Sequence, residues 1–317
     1  MTDTAQIHPE MQAMIDARGP VPETQTLAES RDSWNAYSQA LSEPYPDGMK
    51  VFDKTVHVDE LRVPVRVYQP AGASDANSCV IYIHGGGFMK GDLDSSDTNA
   101  WGFAAETGAT VVSVDYRLAP EHPFPAAFDD CYGVLTWIAA QGADIGVDSA
   151  RIAVVGDSAG GSLTAALALA ARDRGGPSIR GQAMIYPCTG LPPTSQSYID
   201  NAVGPGLTTS AMASYYELYL PTSLDPDLTV YAMPDRASDF TNLPPAYVHV
   251  AALDPIRDDG RVYASKLALA GQRVTFREAH GMIHGFMRAR LRGPAARAEF
   301  DAICAFLRSV LTDETTT

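Results

Sequence analysis

The sequence predicts an α/β protein built on a largely parallel sheet with helices on both faces. Three observations lead there. From Cys79 onward, short buried apolar runs alternate with helical stretches, the pattern of parallel strands joined by crossover helices. Apolar residues make up 45% of the 317-residue chain, enough for a sizeable core. The stretch around residue 158 writes a strand, a tight turn and a helix in direct succession. Arg151 to Val155 is the strand, Gly156-Asp157-Ser158-Ala159-Gly160 the turn, and Ser162 to Arg172 the helix.

Residues 1–48 read as a separate segment. His8 to Ala17 and Leu27 to Leu41 have amphipathic helical spacing, with Trp34, Tyr37 and Leu41 on one face. Pro20 and Pro22 divide the two stretches, and Pro44-Tyr45-Pro46-Asp47-Gly48 closes the segment. Two readings stand side by side: a helical extension packed on the domain, and a helical cap over a site.

Residues 49–317 read as the main domain. Val51 to Val58 and Val63 to Tyr68 alternate as two strands joined at Asp59-Glu60-Leu61. Later strands are expected at Cys79 to Ile83, Thr110 to Asp115, Arg151 to Val155, Gln182 to Tyr186, Tyr247 to Leu253 and Val274 to Glu278. Helices are expected at about Thr98 to Thr107, Ala126 to Gln141, Ser162 to Arg172, Arg261 to Ala270 and Pro294 to Leu311. Residues 188–243 break this rhythm. Several prolines, the Gly204-Pro205-Gly206 turn and Tyr215, Tyr216 and Tyr219 on a helix from Thr209 to Leu220 mark a lid or binding insertion.

Composition excludes some partners. A net charge of −15 argues against nucleic acid or an anionic membrane surface. Met1 to Gln6 is polar and acidic, without the basic and apolar regions of a secretory leader, and no apolar run is long enough to span a bilayer. Cys79, Cys131, Cys188 and Cys304 are scattered through apolar or helical contexts and read as reduced core residues, not as a disulfide framework or metal site. A soluble cytoplasmic protein with no metal and no organic cofactor is expected.

The turn at 156–160 matches G-x-S-x-G, which lifts a serine hydroxyl clear of a sheet at the start of a helix. Glycines flank the serine because side chains there would clash in so sharp a turn. A nucleophilic serine needs a base, an orienting acid and donors for an oxyanion. Ile81-Tyr82-Ile83 runs into His84-Gly85-Gly86-Gly87-Phe88, whose glycines let backbone N–H groups approach a substrate oxygen. Gly86, Gly87 and Ala159 are the expected donors, and His84 is expected to position the loop. A phosphate-binding loop is disfavoured because no Gly-Lys-Ser/Thr follows.

In the chain order Ser, acid, His, the base falls after the last strands. Of seven histidines, His8, His57, His84 and His122 precede Ser158, and His249 lies inside a predicted strand. His280 and His284 remain, and His284 is favoured because Gly285 and Phe286 place it on a loop. Asp254 ends the strand Tyr247 to Leu253 and is the expected acid. Asp258 and Asp259 read as charges at a helix N-terminus, and Asp157 as a hydrogen-bonding group behind the nucleophile.

Five stretches appear together in one order: His84-Gly85-Gly86-Gly87-Phe88, Tyr116 to Ala127, Gly156-Asp157-Ser158-Ala159-Gly160, Asp254-Pro255-Ile256-Arg257-Asp258 and His284-Gly285-Phe286. Jointly they resemble the hormone-sensitive lipase family, the bacterial family IV carboxylesterases of the α/β-hydrolases, with Asp157 placing the chain in the GDSAG subgroup. The match spans roughly residues 50 to 310. The resemblance implies an eight-stranded α/β-hydrolase sheet, an N-terminal helical cap completed by the 188–243 insertion, and a Ser158-Asp254-His284 triad. It implies an oxyanion hole at Gly86, Gly87 and Ala159, and hydrolysis of short- to medium-chain esters in a pocket built from Phe88, Tyr215 and Tyr219. It also implies a small-molecule ester as partner and allows a homodimer through the edge strand Val274 to Glu278. Arg117 and Glu121, in the arch beneath the site, are expected to pair with each other. Where members often carry Tyr ahead of Gly-Met-x-His-Gly-Phe, this chain has His280.

Three other readings use the same fold. One is cleavage of activated amides or formamides by the same machinery. Another is a ligand receptor of the plant gibberellin-receptor kind, which lacks the catalytic histidine that His284 supplies here. The last is a cholinesterase-like adhesion module, expected with a leader and disulfides.

Overall fold

The computed structural model describes residues 6–19 and 25–312, so Pro20 and Pro22 lie outside the described residues. Eight strands form one sheet: β1 (Lys50–Val58), β2 (Leu61–Gln69), β3 (Asn77–Ile83), β4 (Thr110–Val114), β5 (Val147–Asp157), β6 (Gly181–Ile185), β7 (Ala246–Leu253) and β8 (Val274–Ile283). Their order is β1-β2-β4-β3-β5-β6-β7-β8. The first two pairings, β1 with β2 and β2 with β4, are antiparallel, and all others are parallel.

Strand alternation divides the core between the two faces of the sheet. Cys79, Ile81 and Ile83 of β3 pack into one apolar cluster, with Phe128 and Val134 of α4 (Ala126–Gln141) and Leu163 and Leu167 of α5 (Ala159–Asp173). Val80 and Tyr82 face the other, with Phe103 of α3 (Leu93–Thr107) and Phe300 and Leu307 of α10 (Pro294–Leu311). Each large apolar side chain fully buried this way contributes roughly 1.5–3 kcal/mol. The central strands, covered on both faces, are therefore the rigid frame.

Parallel strands end at one edge of a sheet, and the register fixes what meets there. Ile83 pairs with Gly156, which sets His84-Gly85 beside Asp157-Ser158. Leu253 pairs with Ile283 after a register shift, which sets Asp254 beside His284.

The N-terminal segment supplies α1 (Gln12–Arg18) and α2 (Leu27–Ala40). The insertion supplies α6 (Gln196–Asp200), α7 (Thr209–Tyr219) and α8 (Thr229–Ala232), followed after β7 by α9 (Arg257–Leu269). Helix α3 starts five residues earlier than its apolar spacing predicts. The start expected at about Thr98 left Asp92 to Asp97 outside the helix, yet Asp92 accepts from the Ser95 N–H at 2.7 Å while Ser95 Oγ accepts from the Asp92 N–H at 2.8 Å. This reciprocal cap starts the helix before its apolar face begins. Helix α9 likewise opens at Arg257, ahead of the expected Arg261.

Two expected roles change. Arg117 and Glu121 do not pair with each other. Arg117 forks onto Asp130 (2.8 Å), and Glu121 takes both terminal nitrogens of Arg31 (2.7 Å each). Arg31 also donates to the carbonyls of Met89 and Ala119, so it ties α2 to the arch, and it holds the Glu121 carboxyl down at about 2. Proximity in sequence suggested the wrong partner, because Arg31 is remote in the chain. Asp258 and Asp259 do stand in the first turn of α9, but their carboxylates moor the insertion. Asp259 Oδ1 accepts from the N–H groups of Thr189, Gly190 and Leu191 at 2.8, 3.1 and 3.3 Å, and Asp258 Oδ2 from Ser197 at 2.9 Å.

Burial pushes the Asp259 carboxyl up to about 7, against the N–H groups that favour its charged form. An unfolded aspartate titrates near 4, so between about pH 4 and 7 the folded state holds the extra proton and this group's contribution to stability falls as pH rises. Asp259→Asn keeps the acceptor and removes the ionisation. Its melting temperature relative to wild type is expected to rise from pH 5 to pH 8. A difference that is constant or shrinks over that interval contradicts the raised value.

Candidate active site

Ser158 occupies the turn between β5 and α5 with φ 57° and ψ −120°, a conformation that costs a non-glycine residue on the order of 1–3 kcal/mol. The surroundings hold it there. Its N–H donates to the Ile185 carbonyl at 2.8 Å. A Cβ on Gly160 would stand 1.9 Å from the Ile83 carbonyl oxygen, and one on Gly156 would stand 2.2 Å from that of Gly160. The turn therefore closes only with glycine at both places.

His284 and Asp254 meet Ser158 from the neighbouring strand ends. Ser158 Oγ lies 2.9 Å from His284 Nε2, and His284 Nδ1 lies 2.6 Å from Asp254 Oδ2. The Asp254 side chain is fully buried, and its second oxygen accepts from the Ile256 N–H at 3.0 Å. The Tyr186 ring rests 4.6 Å from the imidazole. Insertion and histidine are in close contact, since a Cβ on Gly206 would meet the His284 carbonyl oxygen at 2.6 Å.

The glycine loop after β3 stands against this line. The Gly86 and Gly87 N–H groups have no acceptor among the described residues, and Ala159 opens α5, where N–H groups lack intrahelical partners. Gly86 has φ +136°, and a Cβ on it would fall 1.9 Å from the Lys90 carbonyl oxygen. Asp157 braces the loop, accepting from Tyr82 Oη at 2.7 Å and from the Gly85 N–H at 3.1 Å. His84 stacks on Tyr116 with ring centres 4.3 Å apart, and burial lowers its pKa. A cationic imidazole is disfavoured there.

The other histidines lie elsewhere. His280 is exposed on β8, and His249 is buried with Nε2 2.9 Å from the Glu299 carboxylate.

A cavity of about 30 Å³ opens at Ser158, lined by Trp34, Tyr37, Gly86, Gly87, Leu207 and Tyr215 among others. It adjoins a vestibule of about 610 Å³ whose walls include Ile15, Leu27, Met89, Ala211, Tyr215 and Leu218. Of the three side chains expected to build the pocket, Tyr215 lines both spaces. Phe88 and Tyr219 stack on each other, 3.7 Å apart, each 1% exposed, and line neither. Arg18, Lys90 and Arg288 also line the inner cavity, and no motif pointed to them. Among the described residues no three His, Cys, Asp or Glu side chains group as a metal site, and no helix is long and apolar enough to cross a membrane.

Fold and site together define an α/β-hydrolase. The family model for the α/β-hydrolase fold matches residues 80–288. Carboxylesterase NlhH of Mycobacterium tuberculosis is 38% identical over 92% of both chains. Ethyl acetate hydrolase of Pseudomonas putida is 38% identical over 71% of this chain and 72% of its own. Among solved structures, a thermostable esterase from Pseudomonas putida superposes with a TM-score of 0.91 at 31% identity, over 99% of this chain and all of its own. The chain belongs to this α/β-hydrolase family and is a carboxylic ester hydrolase of the hormone-sensitive lipase type.

Gly160→Ala is expected to cost about 3 kcal/mol of stability through overpacking against the β3 carbonyl, read as a lower denaturation midpoint at unchanged slope. A wild-type midpoint contradicts so close an approach.

Proposed function

We propose that Ser158, His284 and Asp254 hydrolyse short-chain carboxylic esters by acyl transfer to water. The observation that carries this reading is the unbroken line Asp254–His284–Ser158, at 2.6 and 2.9 Å, beside Gly86 and Gly87 N–H groups that have no acceptor among the described residues. His284 Nε2 takes the Ser158 proton as Oγ attacks the ester carbonyl. Asp254, accepting at Nδ1, fixes the tautomer and stabilises the imidazolium. The developing oxyanion receives the Gly86, Gly87 and Ala159 N–H groups, each such donor being worth about 3–4 kcal/mol in the transition state. His284 then protonates the leaving alkoxide, and water repeats the sequence on the acyl-enzyme.

The small cavity supports a short acyl group. It is much the smaller of the two adjoining spaces, and the larger vestibule lies beside it through shared walls at Leu207 and Tyr215. Residues 1–48 and 188–243 are proposed to act together as a cap. Arg18, Trp34 and Tyr37 come from the first, Gly206, Leu207 and Tyr215 from the second, and all six line the cavity.

Initial rates on p-nitrophenyl esters of increasing acyl length are expected to peak at the shortest chains. Ser158→Ala and His284→Ala are each expected to lose on the order of 10⁴-fold or more in kcat, and Asp254→Asn on the order of 10³–10⁴-fold. Comparable turnover in either alanine variant contradicts the roles. A homodimer through β8 is also proposed, because this edge strand presents Phe276, 42% exposed, beside unpaired backbone groups. Sedimentation should then give a dimer that Phe276→Asp converts to monomer; a monomeric wild type contradicts it.

A further inference from the structure

Three cations line the cavity that opens at Ser158. Arg18, Lys90 and Arg288 line the same small cavity, and none has a carboxylate within ion-pair distance among the described residues. Many arginines elsewhere are neutralised, as Arg66 is by Asp53, Asp94 and Asp97, and Arg277 by Glu299, although buried Arg290, away from this cavity, is also held by a carbonyl and aromatic rings. What sets these three apart is that they gather at one cavity, and with 38 acidic residues against 23 lysines and arginines the chain is not short of carboxylates to place there.

Each cation is held by groups that leave its charge unopposed. Lys90 is 8% exposed, its ammonium 3.3 Å from Ser30 Oγ and set over the rings of Tyr215 (5.2 Å) and Trp34 (5.6 Å). Arg288 donates to Ser38 Oγ at 3.1 Å and to the Ser95 carbonyl at 3.0 Å, with its guanidinium 4.7 Å from the Trp34 ring. Arg18 donates to the Gly206 carbonyl and lies 6.0 Å from the Tyr37 ring. Aromatic faces and neutral oxygens orient a cation without cancelling it. Among the described residues the one acid lining this cavity, Asp157, is turned to Tyr82 and the Gly85 N–H.

We infer that the ester this enzyme is built for carries a carboxylate close to the scissile bond, which Lys90 and Arg288, with Arg18, receive. The substrate class is then half-esters of short dicarboxylic acids or O-acyl hydroxy acids. The inference rests on Ser158 as the nucleophile. The chain's net charge of −15 opposes approach of an anion from afar, but salt screens that field beyond about 8 Å, while the cavity cations act at contact in low dielectric. A purely structural alternative is that these side chains only latch α2, through Ser30, Trp34 and Ser38, onto the domain.

The test compares two matched pairs that differ in one charge. Monoethyl succinate against ethyl levulinate places it on the acyl side, and O-acetyl lactate against acetoin acetate places it on the alcohol side. Wild type is expected to favour the anionic member of at least one pair by about tenfold or more in kcat/KM, the scale of a charge-assisted contact. The same ratio is measured for Lys90→Met and Arg288→Met, and for the charge-keeping Lys90→Arg and Arg288→Lys, all checked for cooperative unfolding. Collapse of the ratio in the methionine variants with retention in the charged ones supports the assignment. Equal or poorer use of the anionic esters by wild type, while the neutral ones turn over, overturns it and leaves the Ser158 reading standing. A preference unchanged in the methionine variants overturns it as well and leaves the latch. If no ester is hydrolysed, p-nitrophenyl acetate included, the Ser158 reading itself has failed.

Discussion

The molecule depends on the close approach at the turn that carries Ser158. Backbone from three strands converges there: β5 supplies the turn, β3 brings the Ile83 carbonyl to Gly160, and β6 accepts the Ser158 N–H at Ile185. A strained serine persists only when its surroundings over-determine it. Here those surroundings are the two-faced core, whose central strands have side chains essentially without exposure. The stability of the sheet is thus what holds the hydroxyl off the surface and within 2.9 Å of His284.

Much of this was legible in the sequence because it is local. A strand, a glycine-flanked serine and a helix follow one another, and so do the β3 run and its glycine loop. Asp254 and His284 were singled out by position after strands. What brings them together is the Leu253–Ile283 register, which follows a shift that no one-dimensional pattern records. The eight strands and their mostly parallel arrangement were readable for the same reason. Boundaries were less so, as the start of α3 shows, where a polar capping run opens the helix five residues before the expected Thr98.

Contacts distant in sequence were not legible. Glu121 pairs with Arg31 and not with Arg117, since 90 residues separate the partners and no spacing rule links them. Asp259 looked like an ordinary first-turn charge and proved to anchor the insertion through three backbone N–H groups. Phe88 and Tyr219 looked like pocket walls, but they stack on each other, each 1% exposed, and line neither space. Lys90 and Arg288 sit two residues past Phe88 and four past His284, yet only the fold turns both toward one cavity.

Whether Ser158 is the nucleophile is read from a stable covalent adduct. Treatment with diethyl p-nitrophenyl phosphate should form an Oγ–phosphorus bond as p-nitrophenolate leaves, after which the adduct is mapped by mass spectrometry. One diethylphosphoryl group per chain is expected, on the peptide containing Ser158, rising in step with loss of esterase activity. Inactivation with the group on another residue, or full activity in a chain already modified at Ser158, would contradict it.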